Sequence, residues 1–120
     1  MTAAARKAAE RRVREDAAKR LADIVPDLER LCIRVEEWHE GANEAHVKHT
    51  RHVVVQRAPA VFDLPCCDRH CDGGHDVTKS VLNALTERRT RFDGRHRCGG
   101  TSKEGDCQYE LTFTAEAAYS

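Results

Sequence analysis

The chain has 120 residues, 40% of them hydrophobic but only 5% aromatic, and its 20 basic side chains balance 20 acidic ones. That length makes one domain, or a smaller domain with an appended arm, and zero net charge removes any global attraction to a polyanion. A core so poor in large side chains supplies little surplus stability, so a metal staple is expected.

Residues 3–25, rich in Ala, Arg and Glu, predict a helix. Val13, Ala17, Leu21, Ile24 and Leu28 recur at spacings of four and three, which gives a narrow apolar stripe. Pro26 should end or kink it near Ile24, because the residue before a proline is pushed away from helical backbone. The first 20 residues hold seven basic and three acidic side chains, so this segment either packs its stripe on the domain or serves as a basic docking arm. Beyond Pro26 the period becomes two. Leu31, Ile33 and Val35 alternate with Cys32, Arg34 and Glu36, the pattern of a strand over 29–38 that ends near Trp38.

His39 to His49 reads as a polar connection, and 52–64 as a second strand interrupted at Ala58-Pro59, which places it at an edge or a bulge. Asp76 to Phe92 predicts the second helix, with Asp76 as N-cap and Val77, Val81, Leu82, Leu85 and Phe92 on one side. Arg88, Arg89 and Arg91 would complement the dipole at its end, and Gly94 would close it in the left-handed conformation. Over 107–118, Tyr109, Leu111, Phe113, Ala115 and Ala117 alternate with polar residues, so one face of that strand is dry. The expected fold is α+β: a small antiparallel sheet with helix 76–92 packed on it. Residues 1–27 would form a helical arm, and residues 28–120 a metal-stabilised domain.

The six cysteines would suit disulfides in a secreted chain. The start has no apolar signal region, and no run approaches the roughly 18 apolar residues of a membrane span. A reducing cytoplasm is therefore expected, where clustered cysteines bind metal more often than they pair. Arginine outnumbers lysine 15 to 5 and alanine is abundant, which points to a GC-rich bacterial genome.

Cys66 or Cys67 with Cys71, then Cys98 with Cys107, form two separated pairs at strand–turn junctions. Asp72-Gly73-Gly74 follows Cys71 and Gly99-Gly100 follows Cys98, so backbone amides can turn back onto a thiolate. This layout resembles zinc-ribbon and treble-clef-like domains over roughly residues 62–110, although neither pair has their two-residue gap. It implies one structural Zn²⁺ held by Cys66, Cys71, Cys98 and Cys107, with no open position for water. Cys66 is preferred over its neighbour because it shares a strand face with Phe62 and Leu64; Cys67 is then a free thiol or a neighbour of the site. Cys67, His70, His75 and His96 are the alternates, and buried unliganded cysteines the competing reading. Arg69, Arg97 and Lys103 stand close enough in sequence to offset the thiolates.

Catalytic readings fail residue by residue. Pro65-Cys66 begins like the second half of a zinc deaminase signature, but position 69 is arginine and no H-x-E precedes it. His39-Glu40 begins like H-E-x-x-H, but position 43 is asparagine. A Cys67 nucleophile beside His70 is better explained by the metal turn. The expectation is a chain without hydrolytic or redox turnover. His46, His49 and His52 would share a face only on a helix, where they could hold a second metal or touch phosphate.

Arg88, Arg89, Arg91, Arg95 and Arg97 fall within ten residues opposed only by Asp93. They predict a positive working surface at the end of the second helix, facing nucleic acid or an acidic protein surface. A helix followed by a cysteine-held domain is also similar to the coiled-coil zinc-finger regulators of bacterial RNA polymerase, without their C-x-x-C turns and helical hairpin. That similarity implies a protein–protein adaptor role.

Overall fold

The computed structural model describes residues 2–68, 70–102 and 105–120. Its elements in chain order are α1 (Ala3–Ala17), α2 (Leu21–Ile24), β1 (Leu28–His39), β2 (Val47–Val53), β3 (Asp63–Pro65), β4 (Gly74–Asp76), α3 (Thr78–Thr86), β5 (Arg91–Arg97), β6 (Thr101–Ser102), β7 (Gly105–Asp106) and β8 (Tyr109–Tyr119). Strands β2, β1, β8 and β5 form an antiparallel sheet in that order, and two short hairpins, β3–β4 and β6–β7, complete an α+β fold.

The two clean alternations do what period-two patterns must. Leu31, Ile33 and Val35 of β1 and Leu111, Phe113 and Ala115 of β8 point to one side and enter a single core with Val81, Ala84 and Leu85 of α3. Each fully buried aliphatic side chain there contributes about 1.5–3 kcal/mol. Glu37 continues the inward parity of β1 and is itself buried.

The first helix is shorter than 3–25. It ends at Ala17, because the following residues are drawn into β-type pairing: Arg20 bridges Pro59, Ala60 donates to the Lys19 carbonyl, and Leu21 donates to that of Ala58. The apolar stripe is broken in consequence, with Val13 68% exposed while Leu21 and Val25 are wholly buried. Helix α1 lies against β3, where Arg14 reaches Asp63 at 2.6 Å and Asp76 at 3.0 Å. Burial would raise the Asp76 carboxyl, yet hydrogen bonds from Thr78 and the Arg14 guanidinium hold it below its usual range. Arg14 is about half exposed, so Arg14→Ala should lower unfolding free energy by no more than about 1 kcal/mol, read as a shifted denaturant midpoint at unchanged slope.

The strand expected over 52–64 is two elements. Residues 47–53 pair with β1 in register from Leu31↔Val53 to Glu37↔Val47, and this claims part of the segment read as a connection. The chain then turns through 55–57, and only Asp63–Pro65 extends again.

The helix expected over 76–92 stops at Thr86. Its N-cap is Val77 and not Asp76, which ends β4 and accepts from the Thr78 N–H; at the other end Arg88 takes φ 58° and the chain reverses into β5. Phe92, Gly94 and His96 alternate with Arg91, Asp93, Arg95 and Arg97, a strand period that the spacing of Leu85 and Phe92 obscures. Gly94 is therefore no helix closure. It lets Phe113 lie flat on the strand, where an added Cβ would come within 2.6 Å of the ring.

Among the described residues no helix is long and apolar enough to cross a membrane.

Candidate metal centre

Four segments converge below the sheet's Cys98–Tyr109 end. Cys66 leaves β3, Cys71 sits in the turn before β4, Cys98 follows β5, and Cys107 precedes β8. Their Sγ atoms all lie within 4.8 Å of one another. Cys71 and Cys98 stand 3.5 Å apart and Cys66 and Cys107 3.7 Å apart, far beyond a disulfide. A tetrahedral ion with Zn–S bonds of about 2.3 Å places neighbouring sulfurs about 3.8 Å apart. The four cysteines thus hold the spacing of a four-thiolate site and can bind a metal ion.

Glycines make the approach feasible. Gly73 faces Gly100, and a Cβ on Gly73 would lie 2.7 Å from the Gly100 backbone and 2.8 Å from Cys98 Sγ. The Gly73 N–H donates to Cys71 Sγ at 3.3 Å. Backbone bonds fix the two turns to each other: Asp72 N–H to the Thr101 carbonyl, Cys107 N–H to that of Gly100, and Cys98 N–H to that of Tyr109. Asp72 returns a carboxylate oxygen to the Thr101 N–H at 2.7 Å.

Electrostatics shows what the cluster requires. Burial pushes the Cys71 thiol up to about 12, against the pull of the Gly73 amide, and Cys98 adds to the rise. Cys66 is raised by burial first and then by its Cys98 and Cys107 neighbours. Desolvated thiols packed together resist ionising, and a bound dication reverses that by stabilising each thiolate directly.

Of the alternates, none joins the four. The Cys67 amide donates to Glu37 Oε1 at 2.9 Å, and burial followed by that carboxylate pushes its thiol up to about 12. His70 is exposed, with its amide on Asp68. His75 is wholly buried, its Nε2 3.4 Å from Glu37 and its Nδ1 2.9 Å from His96 Nδ1. Burial and the neighbouring His75 hold His96 below the usual histidine range. Glu37 was missed by sequence reasoning, though it falls on the inward parity of Leu31, Ile33 and Val35. Of the charges expected to offset the thiolates, Arg69 and Lys103 lie outside the described residues. Arg97 pairs with Glu40 at 3.4 Å.

Arg88 and Arg89 directly follow α3, and Arg88 donates to the Leu85 and Thr86 carbonyls at its end, but the other three arginines lie elsewhere. Arg91, Arg95 and Arg97 project from edge strand β5 onto the outer face of the sheet, opposite the core, while Arg88 sits in the preceding turn. Arg88 pairs with Asp27 at 2.7 Å, Arg91 with Glu116 at 3.2 Å and Arg95 with Glu110 at 3.4 Å. Four of the five therefore stand beside carboxylates. His49 and His52 follow strand parity, with His49 on the inner face and His52 on the outer, while His46 precedes the strand.

No protein-family model matches the chain, and neither a curated protein nor a solved structure matches it significantly.

Proposed function

We propose that this chain is a zinc-binding module without turnover at its four-thiolate centre, and that it binds nucleic acid through the outer face of its sheet. The convergence of Cys66, Cys71, Cys98 and Cys107 at tetrahedral spacing carries the metal part of this reading. Four thiolates saturate zinc and leave no position for water, so the ion supports the fold and is not a Lewis acid for a substrate. Six cysteines without a disulfide suit a reducing cytoplasm.

The partner reading rests on the outer face, where Arg30, Arg34, Lys48, Arg91, Arg95 and Arg97 outnumber the interleaved carboxylates. The Arg91 and Arg95 ion pairs are more than three-quarters exposed on the arginine side. Pairs of that kind contribute about 0–1 kcal/mol, so a phosphate can take over either guanidinium at little cost. Phosphate contacts supply affinity and little sequence information.

Binding to a duplex of mixed sequence should weaken steeply with salt. Replacing Arg91 or Arg95 by alanine should lower the slope of log K against log salt by about one unit each. An unchanged slope with both replaced and the fold intact would remove the nucleic-acid reading. Capture of a single protein species that loses association rate on charge reversal at the same two positions would establish the adaptor role instead.

A further inference from the structure

Beside the four thiols lies a second group of metal-ligating atoms from other strands. A carboxylate oxygen of Glu37, Cys66 Sγ and a ring nitrogen of His75 all fall within 4.8 Å of one another. Glu37 and His75 are the two buried ionisable side chains of the described core that are not cysteines. We propose that these three residues form a second divalent-metal site, with the Cys66 thiolate shared between the two ions. This inference rests on the four-thiolate reading, since Cys66 serves both.

The geometry fits an ion better than it fits a proton. His75 Nε2 is buried without a hydrogen-bond partner, although Glu37 Oε1 stands only 3.4 Å away. A charged imidazolium donating to a carboxylate closes to about 2.7–2.9 Å with good alignment. Nitrogen and oxygen ligands at about 2.0–2.2 Å from one tetrahedral ion are separated by about 3.4 Å. The neighbouring contacts orient both groups for that task. With Nε2 on the ion, the Nδ1–H of His75 would be left to donate to His96 Nδ1, 2.9 Å away, the arrangement that commonly fixes a metal-bound histidine. Glu37 is held by the Cys67 amide.

Charge leads to the same place. Four thiolates around one dication leave a net charge near −2, and Glu37 adds another negative group in the same buried region. An uncompensated buried carboxylate there is costly. A second dication shared through Cys66 neutralises most of the excess. Nitrogen, sulfur and carboxylate donors together select a borderline ion such as zinc or cobalt(II), in preference to magnesium or calcium.

Two of the three groups, Glu37 and Cys66, border a cavity of about 600 Å³, with Cys67, Arg11 and Arg51 among its other walls. Three protein ligands would leave a fourth position open, so this ion would exchange faster than the four-thiolate one.

The test is metal stoichiometry on the whole protein equilibrated with zinc(II) alone and then measured by elemental analysis, with X-ray absorption at saturation. About two ions per chain are expected, the second shell adding nitrogen and oxygen to the all-sulfur shell of the first. Glu37→Gln keeps the shape and the acceptor for the Cys67 amide, and should leave about one ion in a folded chain; His75→Gln should do the same. One all-sulfur ion at saturation in the unaltered protein would overturn the second site and leave the first standing. Two ions that persist in both variants would also overturn it, placing the extra zinc elsewhere. Absence of any tightly held ion would instead sink the four-thiolate reading, and with it this one. Should either variant fail to fold, the absorption spectrum of the unaltered protein still decides.

Discussion

Cys98→Ser or Cys107→Ser should abolish both tight metal retention and cooperative unfolding, whereas Cys32→Ser should keep both. The contrast follows from position. Cys98 and Cys107 are buried against Cys71 and Cys66, while Cys32 stands on the outer face of β1 opposite Glu116 and His52. A structural zinc site contributes on the order of 10–16 kcal/mol of apparent folding free energy, as much as the entire net stability of an ordinary domain. The short pairings β3–β4 and β6–β7 have only three and two residue pairs, so a metal lost from these turns would remove much of what holds them. Elemental analysis and a denaturation curve on each variant check this. A chain that unfolds cooperatively at unchanged midpoint after exhaustive chelation would show that the thiols are mere core residues.

Gly73→Ala should be among the most damaging single methyl additions in the protein. Its Cβ would meet the Gly100 backbone at 2.7 Å and Cys98 Sγ at 2.8 Å, and neither neighbour can rotate aside. Overpacking of a tight core typically costs about 1–3 kcal/mol, and the upper end is expected where the obstacle is main chain and a metal ligand. The added methyl would also push Cys98 away from Cys71, so zinc should be released at lower chelator concentration. Gly99→Ala, one residue from the same turn, has nothing within 4 Å of its Cβ and should stay within about 0.5 kcal/mol of the unaltered chain. Equal effects at the two glycines would mean that the turns do not dock as described.

Strands β1 and β8 were legible because each has one dry and one wet face, and a two-residue period needs no knowledge of the partner strand. The segment from Asp76 to Arg97 was not. Leu85 and Phe92 are seven residues apart, a spacing that a helix and a helix–turn–strand both satisfy. The break falls on Arg88, where neither glycine nor proline announces a positive φ. Likewise the connection read over His39 to His49 took in the start of β2, which is polar and histidine-rich; its pairing with β1 is a tertiary choice. The clustering of the four cysteines was readable from glycine-supported turns and the apolar face leading to Cys66. Glu37 and His75 were not recognised as a pair, because their meeting depends on β1 and the β3–β4 hairpin lying together.

The central pairing of the sheet joins its first strand to its last. Leu28–His39 runs against Tyr109–Tyr119, some seventy residues later in the chain, and β5 joins the sheet through β8. A nascent chain can therefore form the β1–β2 hairpin early, but that hairpin must wait with its inner edge unpaired until residues 109–119 have left the ribosome. Closing so long a loop makes assembly slow in comparison with a helical bundle of this size. During that interval the edge and its apolar face are open to other chains, which makes the period of synthesis, more than the finished fold, the time when this protein is vulnerable to misassociation.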